Sequence, residues 1–445
     1  MSGPFARLVA VPACLSVAVF AQESPTHDRS HASPSHLRQH PESRPQQPTP
    51  TPRLLDISLD GLFALGTSTE RDDALGDLQA GGHDPRKRGF TLQAIELSLT
   101  AEVDPHLDAA AHIVAFLDPI TGESEFELEE AFATTRQLPA NLQIKAGLYL
   151  TEFGRHNPTH AHAWDWLDAP VIHTRIFGAD GMRAPGAQLS WLAPTAGATR
   201  LCLGVQNANG ETMSSFLASE ELFAERPVGG RFFTARDVRS FEDLVWSARC
   251  ANSFGIGDET TFAAGASIAY GPNATGADAD TLVYGADFLL RWRPTPHSED
   301  TPSWSLGAEF VARDYSAATQ VDENDPLVNG DEVFLPQADL RDWGCTTHVL
   351  YGFSHDWAAG LRWDFATGSG ASYDASTHAF ASRQADPFRN DRQRFSPLVA
   401  WRPSEFARIR LQYNYDVADT LHAGEAHSVW LGFEFLIGAH AGHAH

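Results

Sequence analysis

Apolar and polar residues alternate with a period of two along most of this chain, which predicts strands with one apolar face and one polar or small face. In 427–438, Val429, Leu431, Phe433, Phe435 and Ile437 share a face, and Ser428, Gly432, Glu434 and Gly438 share the other, interrupted by Trp430 and Leu436. In 406–416, Ala407, Ile409, Leu411, Tyr413 and Tyr415 alternate with Phe406, Arg408, Arg410, Gln412, Asn414 and Asp416. Leu282, Tyr284, Ala286, Phe288, Leu290 and Trp292 alternate in the same way with Thr281, Val283, Gly285, Asp287, Leu289 and Arg291. Leu142, Ile144, Ala146, Leu148 and Leu150 do so with Asn141, Gln143, Lys145, Gly147, Tyr149 and Thr151. Two arginines in a dry core would cost several kcal/mol each unless paired, whereas a wet lumen accepts them cheaply. Many such strands, aromatic residues near their ends and few helical segments predict an all-β fold, a transmembrane antiparallel β-barrel.

The pattern threads as strands at 54–65, 89–102, 107–117, 125–135, 141–153, 186–193, 199–206, 243–252, 260–271, 281–293, 303–315, 341–353, 358–366, 393–402, 405–416 and 427–437. That is about 16 strands, with 14–18 as the range, and it places both termini on the periplasmic side among the short turns. Long loops are expected at 66–88, 154–185, 207–241 and 317–340. Trp292-Arg293-Pro294 and Trp401-Arg402-Pro403 fall where strands meet short turns. Proline ends pairing there, and tryptophan suits a membrane interface.

Residues 1–21 read as a cleaved export signal, with Arg7, a short apolar stretch at 8–20 and a small residue, Ala21, before Gln22. The proline- and histidine-rich segment 22–53 has little to bury and is expected to be disordered in the periplasm. The barrel spans 54–438, and 439–445 is a histidine-rich periplasmic tail. Together these features predict the outer membrane of a Gram-negative bacterium. The formal charge of −25, from 57 acidic against 32 basic residues, argues against nucleic acid as a partner. Cys202, Cys250 and Cys345 are widely spaced and odd in number after signal removal, so no disulfide framework follows.

Candidate chemistry concentrates in 155–185. In an extended segment His160 and His162 point the same way, so with Asp165 they have the donors to hold a divalent metal. The competing reading is a loop folded into the barrel mouth, its aromatics packed and its polar groups wet. Arg155, His156, Asp165, Asp168 and Arg183 would then line a constriction. On 125–132, Glu125, Glu127 and Glu129 are expected on one face, with Phe126, Leu128, Glu130 and Phe132 on the other. Such a carboxylate row attracts cations, and Lys145, Arg291, Arg408 and Arg410 on other lumenal faces would oppose it. The terminal histidines His440, His443 and His445 are further metal candidates. No serine–histidine arrangement stands out and no glycine-rich phosphate loop, so no enzyme activity is expected.

The stretches Leu138-Pro139-Ala140-Asn141, Lys145-Ala146-Gly147, Glu152-Phe153-Gly154-Arg155, Asn157-Pro158-Thr159-His160, Trp164-Asp165-Trp166 and Phe177-Gly178-Ala179-Asp180-Gly181-Met182 carry a family resemblance. So do Asn252-Ser253-Phe254, Gly271-Pro272-Asn273, Trp401-Arg402-Pro403-Ser404-Glu405-Phe406 and Phe435-Leu436-Ile437-Gly438-Ala439-His440. The chain resembles porin-like bacterial outer-membrane β-barrels described as zinc-regulated outer-membrane or TonB-dependent-receptor-like proteins. Segment 22–54 leaves no room for a receptor's plug. The resemblance therefore implies a channel for passive diffusion of small hydrophilic solutes or ions, with a link to zinc or another divalent metal. No other cofactor is expected. Gly432, Phe435 and Ile437 resemble the terminal-strand signal read by the outer-membrane assembly machinery. The expected partners are that machinery, outer-membrane lipid and, as porins are often trimers, two further copies in a homotrimer. The alternative is a non-conducting barrel acting as surface receptor, adhesin or envelope anchor.

Overall fold

The computed structural model describes residues 55–118, 121–136, 138–294, 302–324 and 330–438. The expected signal 1–21, the segment 22–53 and the tail 439–445 with His440, His443 and His445 lie outside the described residues.

Sixteen antiparallel strands close into one barrel, each paired with its neighbours in chain order. The first five are β1 (Asp56–Ser68), β2 (Gly89–Asp104), β3 (Leu107–Leu117), β4 (Ser124–Thr135) and β5 (Leu142–Leu150). The last, Glu425–Gly438, pairs back onto β1 from Ser58↔Gly438 to Ser68↔Ser428. Closure leaves no strand edge unpaired around the ring, which is what a sheet solvated by hydrocarbon requires. The five longest connections, 69–88, 151–182, 208–243, 318–337 and 370–391, all open at one rim, and most of the short turns lie at the other. β1 begins and Glu425–Gly438 ends at the short-turn rim.

Side-chain placement follows the alternation. On Ala407–Ala418, Arg408, Arg410, Gln412, Asn414 and Asp416 are buried in the lumen, whereas Leu411 is 52% exposed on the outside. Leu203, Ile268, Phe310, Trp343, Val399, Leu431 and Phe433 extend the outward apolar surface. At the short-turn rim Trp357 stacks on Trp401, with ring centroids 5.7 Å apart. An apolar exterior around a charged interior is the arrangement of a lipid-solvated barrel.

Two features differ from the sequence expectation. The expected strand 141–153 stops at Leu150, because the chain turns inward: Asn157 Nδ2 donates to Thr151 O at 2.8 Å and the Thr151 hydroxyl to Gln206. Loops also contain structure that the pattern did not signal. Short helices occupy Asp72–Leu78 and Val171–Phe177, and small hairpins pair Gln320–Asp322 with Val333–Leu335 and Ser372–Asp374 with Ala379–Ala381.

A bulge in β4 corrects the carboxylate row. His112 pairs with Glu130 but Ile113 pairs with Leu128, so Glu129 is the extra residue. Because the side-chain period is two, one inserted residue flips everything that follows. Glu129 and Glu130 are therefore both buried on the inside, rather than on opposite faces. Phe132 follows Glu130 inward, where the Lys145 ammonium lies 4.5 Å from its ring centroid.

Candidate functional site

The segment 151–182 between β5 and Arg183–Pro194 enters the lumen and is fastened there at four places. At its start, Gly154 N donates to Ser267 Oγ at 3.0 Å, and the backbone N–H groups of Arg155 and His156 donate to Glu309 Oε2 at 3.0 and 3.1 Å. Gly154 has φ +61, and a Cβ there would sit 1.7 Å from Glu309 Oε1, so the clasp requires glycine.

The second fastening is the His160 cluster. His160 Nε2 lies 2.8 Å from Glu130 Oε2, and its Nδ1 lies 2.9 Å from Glu129 Oε2 and 3.4 Å from Glu96 Oε1. His112 Nδ1 is 3.0 Å from Glu96 Oε1, and His162 Nδ1 is 2.9 Å from Glu96 Oε2. His83 stands behind, 3.9 Å from Glu129. Glu130 does a second job: its Oε1 accepts the Leu150 N–H at 2.8 Å, just beyond the β4–β5 ladder that pairs Ala131–Thr134 with Lys145–Leu148. Burial alone would push the His160 imidazole down, but the carboxylates of Glu129, Glu130 and Glu96 outweigh it and hold the ring well above its ordinary value. His156, a turn earlier, is the opposite case. Burial, with His173 and Arg362 nearby, drives it well below, so it stays neutral against Trp164 and His173.

Third, arginines of the last strands capture the carbonyls of 162–166. Arg408 donates to His162 O at 2.7 Å, and Arg410 donates to Trp164 O at 2.9 Å and Trp166 O at 3.1 Å. Both arginines also bond Glu434. The fourth is Asp168. Its Oδ1 accepts from Arg362 at 2.6 Å and Gln412 at 2.9 Å, and its Oδ2 from Arg394 at 2.9 Å and Asn414 at 2.6 Å. Burial would raise this carboxyl, but Arg362 and Arg394 hold it far below the ordinary range. Val171, Ile172, Ile176 and Phe177 pack with Phe153, Val245, Ala269, Val283 and Val311 in one buried apolar cluster between the segment and the wall.

Among the cavities beside the segment, two border arginine side chains of the wall. One of about 410 Å³ is lined by Glu152, Arg155, His160, Arg200, Cys202 and Arg249 among others. A second, of about 170 Å³, is lined by Arg155, His156, Asp165, Arg291, His348 and Arg362 among others.

Several expected lining residues thus have other work. Glu125 is exposed at the rim, Glu127 is ion-paired with Arg183, and Glu129 belongs to the His160 cluster, so no carboxylate row faces an open passage. Arg408, Arg410 and Asp168 are fasteners. Arg155, His156, Asp165 and Arg291 do face the cavities. His160 and His162 converge on Glu96, but Asp165 does not join them: a 3₁₀ turn at Ala161–Ala163 sends it to the second cavity. The sequence reading missed Glu96, His112, Glu309, Arg362 and Arg394. Each is a polar residue on the inward phase of its strand, which was the available signal.

No family model matches the chain. A protein of Aquifex aeolicus (strain VF5), described as uncharacterized, is 26% identical over 423 residues, covering 88% of this chain and 80% of its own length. Among solved structures, the outer membrane channel DcaP of Acinetobacter baumannii superposes with a TM-score of 0.50 at 12% identity, over 86% of this chain and 96% of its own. An anion-selective porin from Comamonas acidovorans gives 0.48 at 9% identity, over 86% of this chain and 100% of its own. The likeness to DcaP extends to the barrel fold.

Proposed function

We propose that this chain forms a porin-like outer-membrane channel in which small hydrophilic solutes and ions diffuse passively past a constriction made by 151–182. The observation that carries this reading is the lumen itself. Its polar, arginine-rich wall surrounds cavities of about 410 and 170 Å³ beside the inward segment, inside a barrel whose exterior suits lipid. Arg155 borders both cavities, with Arg200 and Arg249 in one and Arg291 and Arg362 in the other. Glu129, expected to draw cations, is enclosed by histidines instead. Arg200, Arg249 and Arg362 are balanced by Glu152, Asp287 and Asp168, so the field in the cavities is set foremost by Arg155 and Arg291, and small anions pass more readily than cations of the same size. Support for the expected link to zinc or another divalent metal lies in the histidine–carboxylate cluster around His160.

A second reading is favoured by the apolar packing of Phe153, Ile172, Ile176 and Phe177 between the segment and the wall. There the barrel does not conduct, and it serves as a surface receptor, adhesin or envelope anchor. Bilayer recordings of the refolded protein in asymmetric salt separate the two. Stable steps with an anion-side reversal potential support the channel, and silence from protein shown to be folded supports the second reading.

A further inference from the structure

Most lumenal carboxylates elsewhere are met by guanidinium groups: Asp168 by Arg362 and Arg394, Asp287 by Arg249, Asp342 by Arg313 and Arg389, Asp416 by Arg392 and Arg394, Glu434 by Arg408 and Arg410, although Glu309 has a single imidazole, that of His173, at 3.2 Å. At mid-height on β2, β3 and β4 the pattern changes. Around Glu96, Glu129 and Glu130 the ion-pair partners are imidazoles, those of His83, His112, His160 and His162. A guanidinium can only donate hydrogen bonds, whereas an imidazole can ligate a metal.

We propose that Glu96, His112, Glu129 and His160 form a binding site for one divalent transition-metal ion of the zinc class, which pins the inward segment to the barrel wall. The site stands on its own geometry and does not require that the barrel conduct. Donor atoms of Glu96, His112 and His160 all lie within 4.8 Å of one another. Successive contacts along the row are 3.0 Å from His112 Nδ1 to Glu96 Oε1, 3.4 Å from there to His160 Nδ1, and 2.9 Å on to Glu129 Oε2. A tetrahedral ion with bonds of about 2.0–2.2 Å needs donor atoms roughly 3.4 Å apart, so the donors of Glu96, His112 and His160 draw together around the ion and the Glu129 carboxylate, already against His160, turns in as the fourth. Two nitrogen and two carboxylate donors suit a borderline ion better than magnesium or calcium, which take oxygen.

The surrounding groups are those that a metal site uses to orient its ligands. Glu130 Oε2 lies 2.8 Å from His160 Nε2, which fixes the ring with Nδ1 turned toward Glu96 and Glu129. The Ser98 hydroxyl donates to Glu96 Oε1 at 2.9 Å, and His162 holds the other oxygen of that carboxylate. The β4 bulge is what makes the arrangement possible, since it brings Glu129 and Glu130 inward together on the two nitrogens of one ring. His160 also borders the 410 Å³ cavity, which gives an ion a route in.

The test is crystallography of the full-length protein grown with zinc, read by anomalous difference density at the zinc edge, alongside zinc titration of the full chain and its variants. An anomalous peak between His112, His160, Glu96 and Glu129 is expected. His160→Gln should lose one equivalent of zinc per chain relative to the parent, and both proteins keep the same histidine-rich ends, so zinc bound there cancels. Glu130→Gln, which meets His160 at its outer nitrogen and keeps an oxygen for the Leu150 N–H, should weaken this equivalent about 10–100-fold. Density confined to the chain ends or the outer surface overturns the proposal, as does unchanged stoichiometry in both His160→Gln and His112→Gln. If the variants fail to refold, the anomalous map of the parent decides alone. A zinc peak in a barrel that carries no current would remove the channel reading and leave this site standing.

Discussion

Replacing Asp168 with alanine is the sharpest way to ask whether the inward segment is a seal. Its carboxylate accepts four hydrogen bonds, two from arginines, and connects the segment to three strands. Removing one partner of a buried ion pair costs about 3–5 kcal/mol. Here the arginines are not left alone: Arg362 keeps Asp364 at 2.9 Å and Arg394 keeps Asp416 at 2.9 Å. Arg362 also keeps its bond to the Asp168 carbonyl at 2.8 Å. The cost therefore falls at the lower end, about 3 kcal/mol, and it lands on the docked form, because the released segment has water in place of these donors. At 1.4 kcal/mol per tenfold, the released fraction rises roughly 100-fold. In single-channel records of refolded D168A, open events should become correspondingly more frequent or longer, and protease should cleave within 151–182. Asp168→Asn, which keeps one acceptor oxygen, should fall between the two. A folded D168A barrel with the parent's gating and the parent's protease resistance would refute the argument, because it would show that Asp168 does not hold the segment in place.

Three further outcomes follow from the same geometry. Gly154→Ala places a side chain at φ +61 and against Glu309, so about 1–2 kcal/mol from the backbone alone should loosen the first clasp. Its proteolysis pattern should shift in the direction of D168A, and an unchanged pattern would remove Glu309 as a fastener. Arg155→Glu with Arg291→Glu reverses two charges on the cavity walls, and the reversal potential should move toward cations; no movement would mean that ions take another path. The third outcome concerns pH at the outer loops. Bonds from the Tyr373 hydroxyl at 2.6 Å and His378 at 2.9 Å hold the Asp322 carboxyl down at about 2. A lowered carboxylate contributes stability above its unfolded value of about 3.9, and that contribution is lost as pH falls through its folded value. Pepsin should leave 370–391 intact near pH 4 and cut it as pH approaches 2, whereas Asp322→Ala should be cut at both; equal cleavage of the two proteins at pH 4 would contradict this.

The barrel was legible because its signal is redundant. Each strand repeats the same two-residue alternation, and the tight turn between β2 and β3 sets their register. The lumenal cluster was only half legible. His160 and His162 stood out as a pair in a loop, but their partners are single residues, Glu96 on β2 and His112 on β3, that look like any inward polar position. Ser98↔His112 and Glu96↔Val114 become neighbours only once the strands are paired. Glu130 was placed outside because one bulge reverses the phase, and no glycine or proline marks that bulge in Glu127-Leu128-Glu129-Glu130. Asp165 was assigned to the wrong partners for a similar reason. An extended segment was assumed, and a single 3₁₀ turn at Ala161–Ala163 redirects it.

The same comparison shows why a pore's charge cannot be summed from its inward-facing residues. Arg408 and Arg410 point into the lumen as their strand dictates, yet their donors are taken up by Glu434 and by the carbonyls of residues 162–166. A buried carbonyl left without a donor costs about as much as a lost hydrogen bond, so a segment entering a barrel at mid-height needs donors from the wall. Strand arginines supply them while their own charge is balanced by a neighbouring carboxylate. The field that a permeating ion meets is then set by the groups facing the remaining cavities, Arg155 and Arg291 foremost, and this is why substitution there should alter selectivity while substitution at Arg410 should first alter whether the segment stays docked.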